Sequence, residues 1–99
     1  MKIKVQSINF DADTSLVEYV QDKANKLSKL YDKIIDGDVF LVFDKAALTE
    51  NKVSEVKIRI PGKELFAKKQ SKTFEEATDN AIEAIQKQLI KVKEKQRDK

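Results

Sequence analysis

Apolar and polar residues alternate from Lys2 to Gln6, with Ile3 and Val5 on one side and Lys4 and Gln6 on the other. A period of two predicts a strand with one buried face. The alternation slips at Ser7, after which Ile8 and Phe10 carry the apolar phase. A bulge, or a strand end followed by a covering turn, accounts for such a slip. Asp11-Ala12-Asp13-Thr14-Ser15 is rich in side chains that accept backbone N–H bonds, so Asp13, Thr14 or Ser15 is expected to cap a helix. From about 14 to 31, Leu16, Val20, Ala24, Leu27 and Leu30 or Tyr31 recur at steps of three and four. That is one apolar helical stripe, flanked by Tyr19.

Ile34-Ile35 leads into Asp36-Gly37-Asp38, a turn or a break at the start of a strand. Val39 to Phe43 is β-branched and aromatic, and its near-continuous apolarity predicts a central strand. Asp44 to Lys52 is polar and forms a long hairpin loop. Val53 to Ile60 alternates, with Val56, Ile58 and Ile60 inward and Glu55, Lys57 and Arg59 outward. Pro61-Gly62-Lys63 is a tight turn, and Leu65 to Lys69 returns as a fourth strand. Thr73 with Glu76 three residues on has capping-box spacing. Phe74, Ala77, Ala81, Ile85, Leu89 and Val92 then keep one helical face apolar for about five turns. Beyond about residue 95 the chain is polar and is expected to fray. Neither helix can bury its stripe on the other alone. The expected architecture is therefore an α+β two-layer sandwich of order β-α-β-β-β-α, with both helices on one face of a four-stranded sheet.

Ninety-nine residues suffice for one domain, residues 1–99, around one core. Cysteine and histidine are absent and only two glycines are present. Thiolate chemistry, the commonest general base and metal ligand, and a phosphate-cradling glycine loop are thereby excluded. No apolar run approaches the ~20 residues of a membrane span, and no secretory signal opens the chain. A cytoplasmic, surface-charged binding module with no cofactor, catalytic residue or small-molecule substrate is the expectation. The carboxylates Asp11, Asp13 and Asp79 read as caps or solvated surface. Asp36-Gly37-Asp38 lacks the later ligands of a calcium loop.

The net charge is +3, but its distribution is uneven. Residues 23–33 carry Lys23, Lys26, Lys29 and Lys33 against Asp32. Residues 73–85 hold four acids and no base, and residues 86–99 hold six bases, including Lys87, Lys91, Lys93 and Lys95, against two acids. An acid-to-base gradient along a helix complements its macrodipole without any ligand. If the two helices pack side by side, the same lysines form one basic patch suited to phosphate backbones. Phe10, Phe40, Phe43, Phe66 and Phe74 all fall in apolar phase and read as core. No stacking platform for single-stranded bases is expected, and structured RNA recognised by shape and phosphate fits better.

Several runs together carry a family resemblance. They are Met1-Lys2-Ile3-Lys4-Val5, Leu16-Val17-Glu18-Tyr19-Val20-Gln21-Asp22-Lys23, Tyr31-Asp32-Lys33-Ile34, Gly62-Lys63-Glu64-Leu65-Phe66-Ala67, Thr73-Phe74-Glu75-Glu76-Ala77-Thr78-Asp79 and Gln88-Leu89-Ile90-Lys91-Val92-Lys93-Glu94-Lys95. In order and spacing the chain resembles the ribosome hibernation-promoting factor and protein Y family. The resemblance implies a fold similar to double-stranded RNA-binding domains and a partner in the small ribosomal subunit and its ribosomal RNA. It implies occupancy of the channel for messenger RNA and the A- and P-site transfer RNAs, with translation blocked and idle ribosomes protected in stationary phase or stress. The implied RNA-binding residues are Lys23, Lys26, Lys29, Lys33, Lys87, Lys91, Lys93 and Lys95. Lys68, Lys69 and Lys72 depart from relatives that are often less basic or acidic there, and either widen the basic surface, with Lys68 and Lys69 as additional RNA contacts, or merely reflect a lysine-rich proteome. Relatives often have histidines near positions 8, 9 and 30, where Ile8, Asn9 and Leu30 stand here. The chain resembles the short type, without the ribosome-dimerising domain of longer members, so any dimerising partner is left open. The alternative is a protein-binding regulator, a sigma-factor modulator, without direct RNA contact.

Overall fold

A computed structural model describes residues 2–97. Strand β1 (Lys2–Ile8) is followed by helix α1 (Thr14–Asn25) and a single helical turn α2 (Leu27–Leu30). Then come β2 (Asp36–Phe43), β3 (Lys52–Ile60), β4 (Lys63–Ser71) and helix α3 (Phe74–Arg97). The strands form one sheet in the order β1-β2-β3-β4. β1 is parallel to β2, and β2, β3 and β4 form an antiparallel meander. The β-α-β-β-β-α order and the α+β class are as the sequence predicts, with β2 in the sheet interior.

The core lies between the helices and one sheet face. Val39, Leu41, Val56, Ile58, Leu65 and Ala67 are buried from the sheet, and Val20, Ala24, Leu27, Ala81, Ile85 and Leu89 from the helices. α3 lies across β3 and β4, and α1 packs beside β1 and α3. One polar pair is sealed inside: the Thr78 hydroxyl of α3 donates to Ser54 Oγ of β3 at 3.0 Å, with both residues fully buried. Each hydroxyl satisfies the other, which removes the penalty of burying either alone.

Four local expectations are corrected by the structure, and a fifth, the slip after β1, is decided for the strand end and turn over the bulge. β1 contains no bulge, because its register with β2 is unbroken from Lys2–Asp36 to Ile8–Val42. The apolar slip is made after the strand, where Asn9 takes φ 70° and its side chain donates to the Phe43 carbonyl at 3.1 Å. Asparagine tolerates that left-handed conformation, and the bend carries Phe10 onto Phe74, ring centroids 4.4 Å apart. Asp36-Gly37-Asp38 is not a turn but the first residues of β2. A Cβ on Gly37 would stand 2.7 Å from the Lys57 carbonyl oxygen and 2.9 Å from Ile3 Cδ1, so glycine is what lets three strands close at that point.

The first helix does not run unbroken from 14 to 31. The Lys29 N–H bonds to the Lys26 carbonyl, the tighter 3₁₀ pattern, and the Asn25 carbonyl is taken by the Ser28 hydroxyl at 2.8 Å. This explains why the buried spacing shortens from four to three between Ala24 and Leu27. The Thr73 hydroxyl accepts from the Glu76 N–H at 3.0 Å, but the Glu76 carboxylate accepts from Ser71 Oγ instead of completing the capping box. α3 stays helical through Arg97, past residue 95; Asp98 and Lys99 lie outside the described residues.

The aromatic expectation is also corrected. In β4, Leu65 and Ala67 face the helices, so Phe66 between them faces outward and is 45% exposed. Phe40 points to the same open face, with Lys57 Nζ 5.7 Å from its ring centroid. Strand alternation, not hydrophobicity, decides which way these rings point.

Two stability outcomes follow. Gly37→Ala lowers the urea midpoint by an amount corresponding to about 3 kcal/mol with an unchanged m-value, because a backbone oxygen cannot yield to the new methyl. In a double-mutant cycle, Thr78→Val and Ser54→Ala each cost about 1–2 kcal/mol, and the double variant costs less than their sum, because no hydroxyl is then left unpaired.

Candidate nucleic-acid interface

Three contacts fix how the helices lie. Tyr19 reaches Asp79, Leu30 reaches Lys93 and Tyr31 reaches Gln96, at sequence separations of 60, 63 and 65. A nearly constant separation means that the α1–α2 segment and α3 run parallel, N-termini at one end and C-termini at the other. The lysine-rich ends of both therefore meet at one end of the molecule.

At that end Lys29, Lys33 and Lys93 line one open depression of about 330 Å³ with Tyr31, Asp32 and Gln96. Its walls are held from both helices. Lys93 Nζ donates to the Leu30 carbonyl at 3.0 Å, one of the carbonyls left unpaired where α2 ends. Gln96 Nε2 donates to the Tyr31 hydroxyl at 3.0 Å. Lys26, at the α1–α2 break, and Lys91 and Lys95 are exposed. Among the described residues, none of Lys26, Lys29, Lys33, Lys91, Lys93 and Lys95 makes an ion pair. Their charge is available to a polyanion.

The remaining candidates lie elsewhere. Lys23 sits on the acidic half of α3, with Nζ 3.5 Å from Asp79 Oδ1 and 5.6 Å from the Tyr19 ring centroid. Lys87 turns to the opposite flank of α3, 3.7 Å from Glu83, where it shares a depression with Lys69, Asn80 and Ala84. Lys68, one residue from Lys69, points to the open sheet face beside Asn9, Val42 and Glu55. The ten lysines thus do not make one surface. Three surround one depression, two flank another, and Lys23, Lys26, Lys68, Lys91 and Lys95 line neither.

Sequence reasoning missed the groups that hold these elements in place. The Tyr19 hydroxyl donates to both Asp79 oxygens, at 2.8 and 3.0 Å, and ties α1 to α3. Partial burial, together with the hydrogen bond and charge of Asp79, raises the Tyr19 pKa above its ordinary 10.0. On the open face Arg59 bonds to Asp36 at 2.5 Å and Asp38 at 2.8 Å and reaches Glu64 at 3.4 Å. The two aspartates that resembled a calcium-loop fragment are partners of this guanidinium. Their i, i+2 spacing on one strand, opposite an outward arginine on the next, is the signal that identifies the pair. Among the described residues, no helix is long and apolar enough to cross a membrane.

A family model described as "Sigma 54 modulation protein / S30EA ribosomal protein" matches residues 3–97. The chain belongs to the ribosome hibernation promoting factor and protein Y family. That family is non-enzymatic and concerned with ribosome hibernation and translation regulation. A ribosome hibernation promoting factor of Azotobacter vinelandii is 27% identical over 96 residues, covering 97% of this chain and 86% of that one. Two solved structures share the fold. A ribosomal subunit interface protein from Coxiella burnetii has a TM-score of 0.83 at 20% identity, covering 94% of this chain and 98% of its own. The N-terminal domain of Thermus thermophilus protein Y has a TM-score of 0.77 at 19% identity, covering 90% and 96%.

The Tyr19–Asp79 contact has a defined pH signature. A raised folded-state value means that the unfolded chain loses the tyrosine proton first. The contribution is complete below pH 10 and is lost as pH rises through the folded value. Tyr19→Phe therefore costs about 1 kcal/mol at pH 7 in denaturant unfolding, and the gap between the two proteins closes as pH rises above 10.

Proposed function

We propose that this protein is a ribosome hibernation factor that binds the small subunit in the channel for messenger RNA and transfer RNA, across the A and P sites. It inhibits translation there by occupancy and protects idle ribosomes in stationary phase or stress. The observation that carries the reading is the meeting of lysines from both helices around one depression, with none of them neutralised by a carboxylate in the described chain. Family membership and the hibernation factor of A. vinelandii supply the class of partner.

The mechanism needs no bond to be made or broken. Lys26, Lys29, Lys33, Lys91, Lys93 and Lys95 neutralise ribosomal RNA phosphates and release their counterions. These contacts position the protein without reading sequence. The body they anchor is about 48 Å long and 23 Å across, and α3 alone extends for ~36 Å at 1.5 Å per residue. A rod of that size fills space that message and transfer RNA need. Lys87 and Lys69 extend the contact along the second flank of α3.

Co-sedimentation with purified small subunits over a salt series tests this reading. The native protein binds saturably, with affinity falling steeply as salt rises, and excess messenger and transfer RNA displace it. The Lys29→Glu, Lys33→Glu and Lys91→Glu triple variant keeps its circular dichroism spectrum. Its affinity falls at least about a hundredfold, and its log–log salt slope falls by about three. Binding unchanged in the triple variant sinks the lysine assignment. No binding even at low salt sinks the ribosome reading and turns the search to an RNA-independent protein target such as a sigma factor.

A further inference from the structure

The sheet face turned away from the helices is charged in a pattern fixed by strand register. Across β1 to β4 one row reads Lys2, Asp36, Arg59, Glu64, alternating in sign. The next reads Lys4, Asp38, Lys57, Phe66. The third reads Gln6, Phe40, Glu55, Lys68, and the last Ile8, Val42, Val53, Gln70, in which Ile8 is 43% exposed and Val53 only 4%. Among the described residues, all the ion pairs on this face centre on Arg59, and the ammonium groups of Lys2 and Lys4 join none.

The first two rows of this face are complementary to themselves. A two-fold axis along the strands, between β2 and β3, sets β1 against β4 of a second copy and β2 against its β3, and leaves each row opposite itself. Lys2 then meets Glu64, and Asp36 meets Arg59. Lys4 meets the ring of Phe66, a cation over an aromatic face. Val42 meets Val53. The other in-plane axis, across the strands, sets the first charged row against Ile8, Val42 and Val53 and strands its charges on apolar groups. We propose that two copies of this chain associate through their open sheet faces about the strand-parallel axis. Lysine, arginine and glutamate are long enough to keep these pairings at the ~30° angle at which aligned sheets cross.

The proposal leaves the helices and their lysines on the outside of the pair, so it is independent of what those lysines bind. Four strands about 4.8 Å apart, each about seven residues long at ~3.3 Å, cover roughly 400 Å² in projection. That is less than the ~800 Å² per partner of a stable complex. The association is accordingly weak, dependent on concentration and weakened by salt.

Sedimentation equilibrium of the full chain from about 10 µM to about 1 mM at low salt tests the proposal, a range that detects dissociation constants of that order. A mass rising from monomer toward dimer with concentration is expected. Lys2→Glu and Glu64→Lys each weaken association at least about tenfold, because each places like charges opposite one another twice per pair. An equimolar mixture of the two variants restores it, as does the double variant Lys2→Glu/Glu64→Lys. Lys2 and Glu64 lie on opposite edges of the sheet, three strand spacings or ~14 Å apart. Rescue therefore reports a contact between copies and not one within a chain. Circular dichroism of each variant at the same concentrations excludes misfolding as the cause. A native protein that stays monomeric to about 1 mM overturns the proposal. So does association that the single reversals leave unchanged, or that the mixture does not restore.

Discussion

The parallel run of the two long helices is the constraint on which the rest of this structure depends. It is imposed by the sheet. β1, β2 and β4 point one way and only β3 points the other. α1 follows β1 and α3 follows β4, so each helix returns down the same face in the same direction. Two parallel macrodipoles side by side repel, with partial positive charge gathered at one end and partial negative at the other. The acids of the first half of α3 and the lysines at the ends of α2 and α3 offset that repulsion. The charge pattern is thus a requirement of the topology before it serves any partner.

The same constraint concentrates positive charge. In an antiparallel pair, Lys29 and Lys33 would lie beside Glu75 and Asp79, and their charge would be spent within the protein. Because the helices are parallel, Lys23 is, among the described residues, the one lysine of the α1–α2 segment that pairs with an acid of α3, at Asp79. Lys29, Lys33 and Lys93 meet one another around a depression whose wall is fixed by the Lys93–Leu30 contact. Mutual repulsion there is tolerable because the site is open to water and screened, and a polyanion relieves it.

The order of elements and most of the core were legible because they rest on periodicity. Val56, Ile58 and Ile60 alternate, Ala81, Ile85 and Leu89 repeat at four, and each set is buried. What periodicity could not convey is the partner across space. Nothing local shows that Asp79 belongs to Tyr19 and Lys23 rather than to water, or that Asp36 and Asp38 belong to Arg59. Phe40 and Phe66 depart from the core expectation for a related reason. A ring counts as apolar wherever it stands, but register sends these two to the open face, where Lys57 covers one of them. The eight helical lysines were read as one patch because sequence gives the face of a helix only relative to its own axis. Lys87 and Lys93 lie on opposite flanks of α3, and only the neighbours, Lys69 on one side and α2 on the other, distinguish them.

A lysine that completes a helix terminus and a lysine that binds phosphate carry the same charge at the same place, so charge alone cannot separate the roles. Distance can. Lys23 and Lys87 each have a carboxylate within 4 Å. Lys93 donates a hydrogen bond to a backbone carbonyl and lines the depression as well. Lys29, Lys33, Lys91 and Lys95 have neither kind of partner among the described residues. The dipole acts on those four only through its field, which falls off within the last turn and is weakened by salt. Folding therefore loses little when their charge is removed, whereas a polyanion loses a full contact for each. Lys93 stands between the groups, since its ammonium is held by the fold in the position where a phosphate would meet it. A group already ordered in the free protein has less side-chain entropy left to lose on binding. Among these lysines it is the one for which stability and the proposed recognition rest on the same ammonium group.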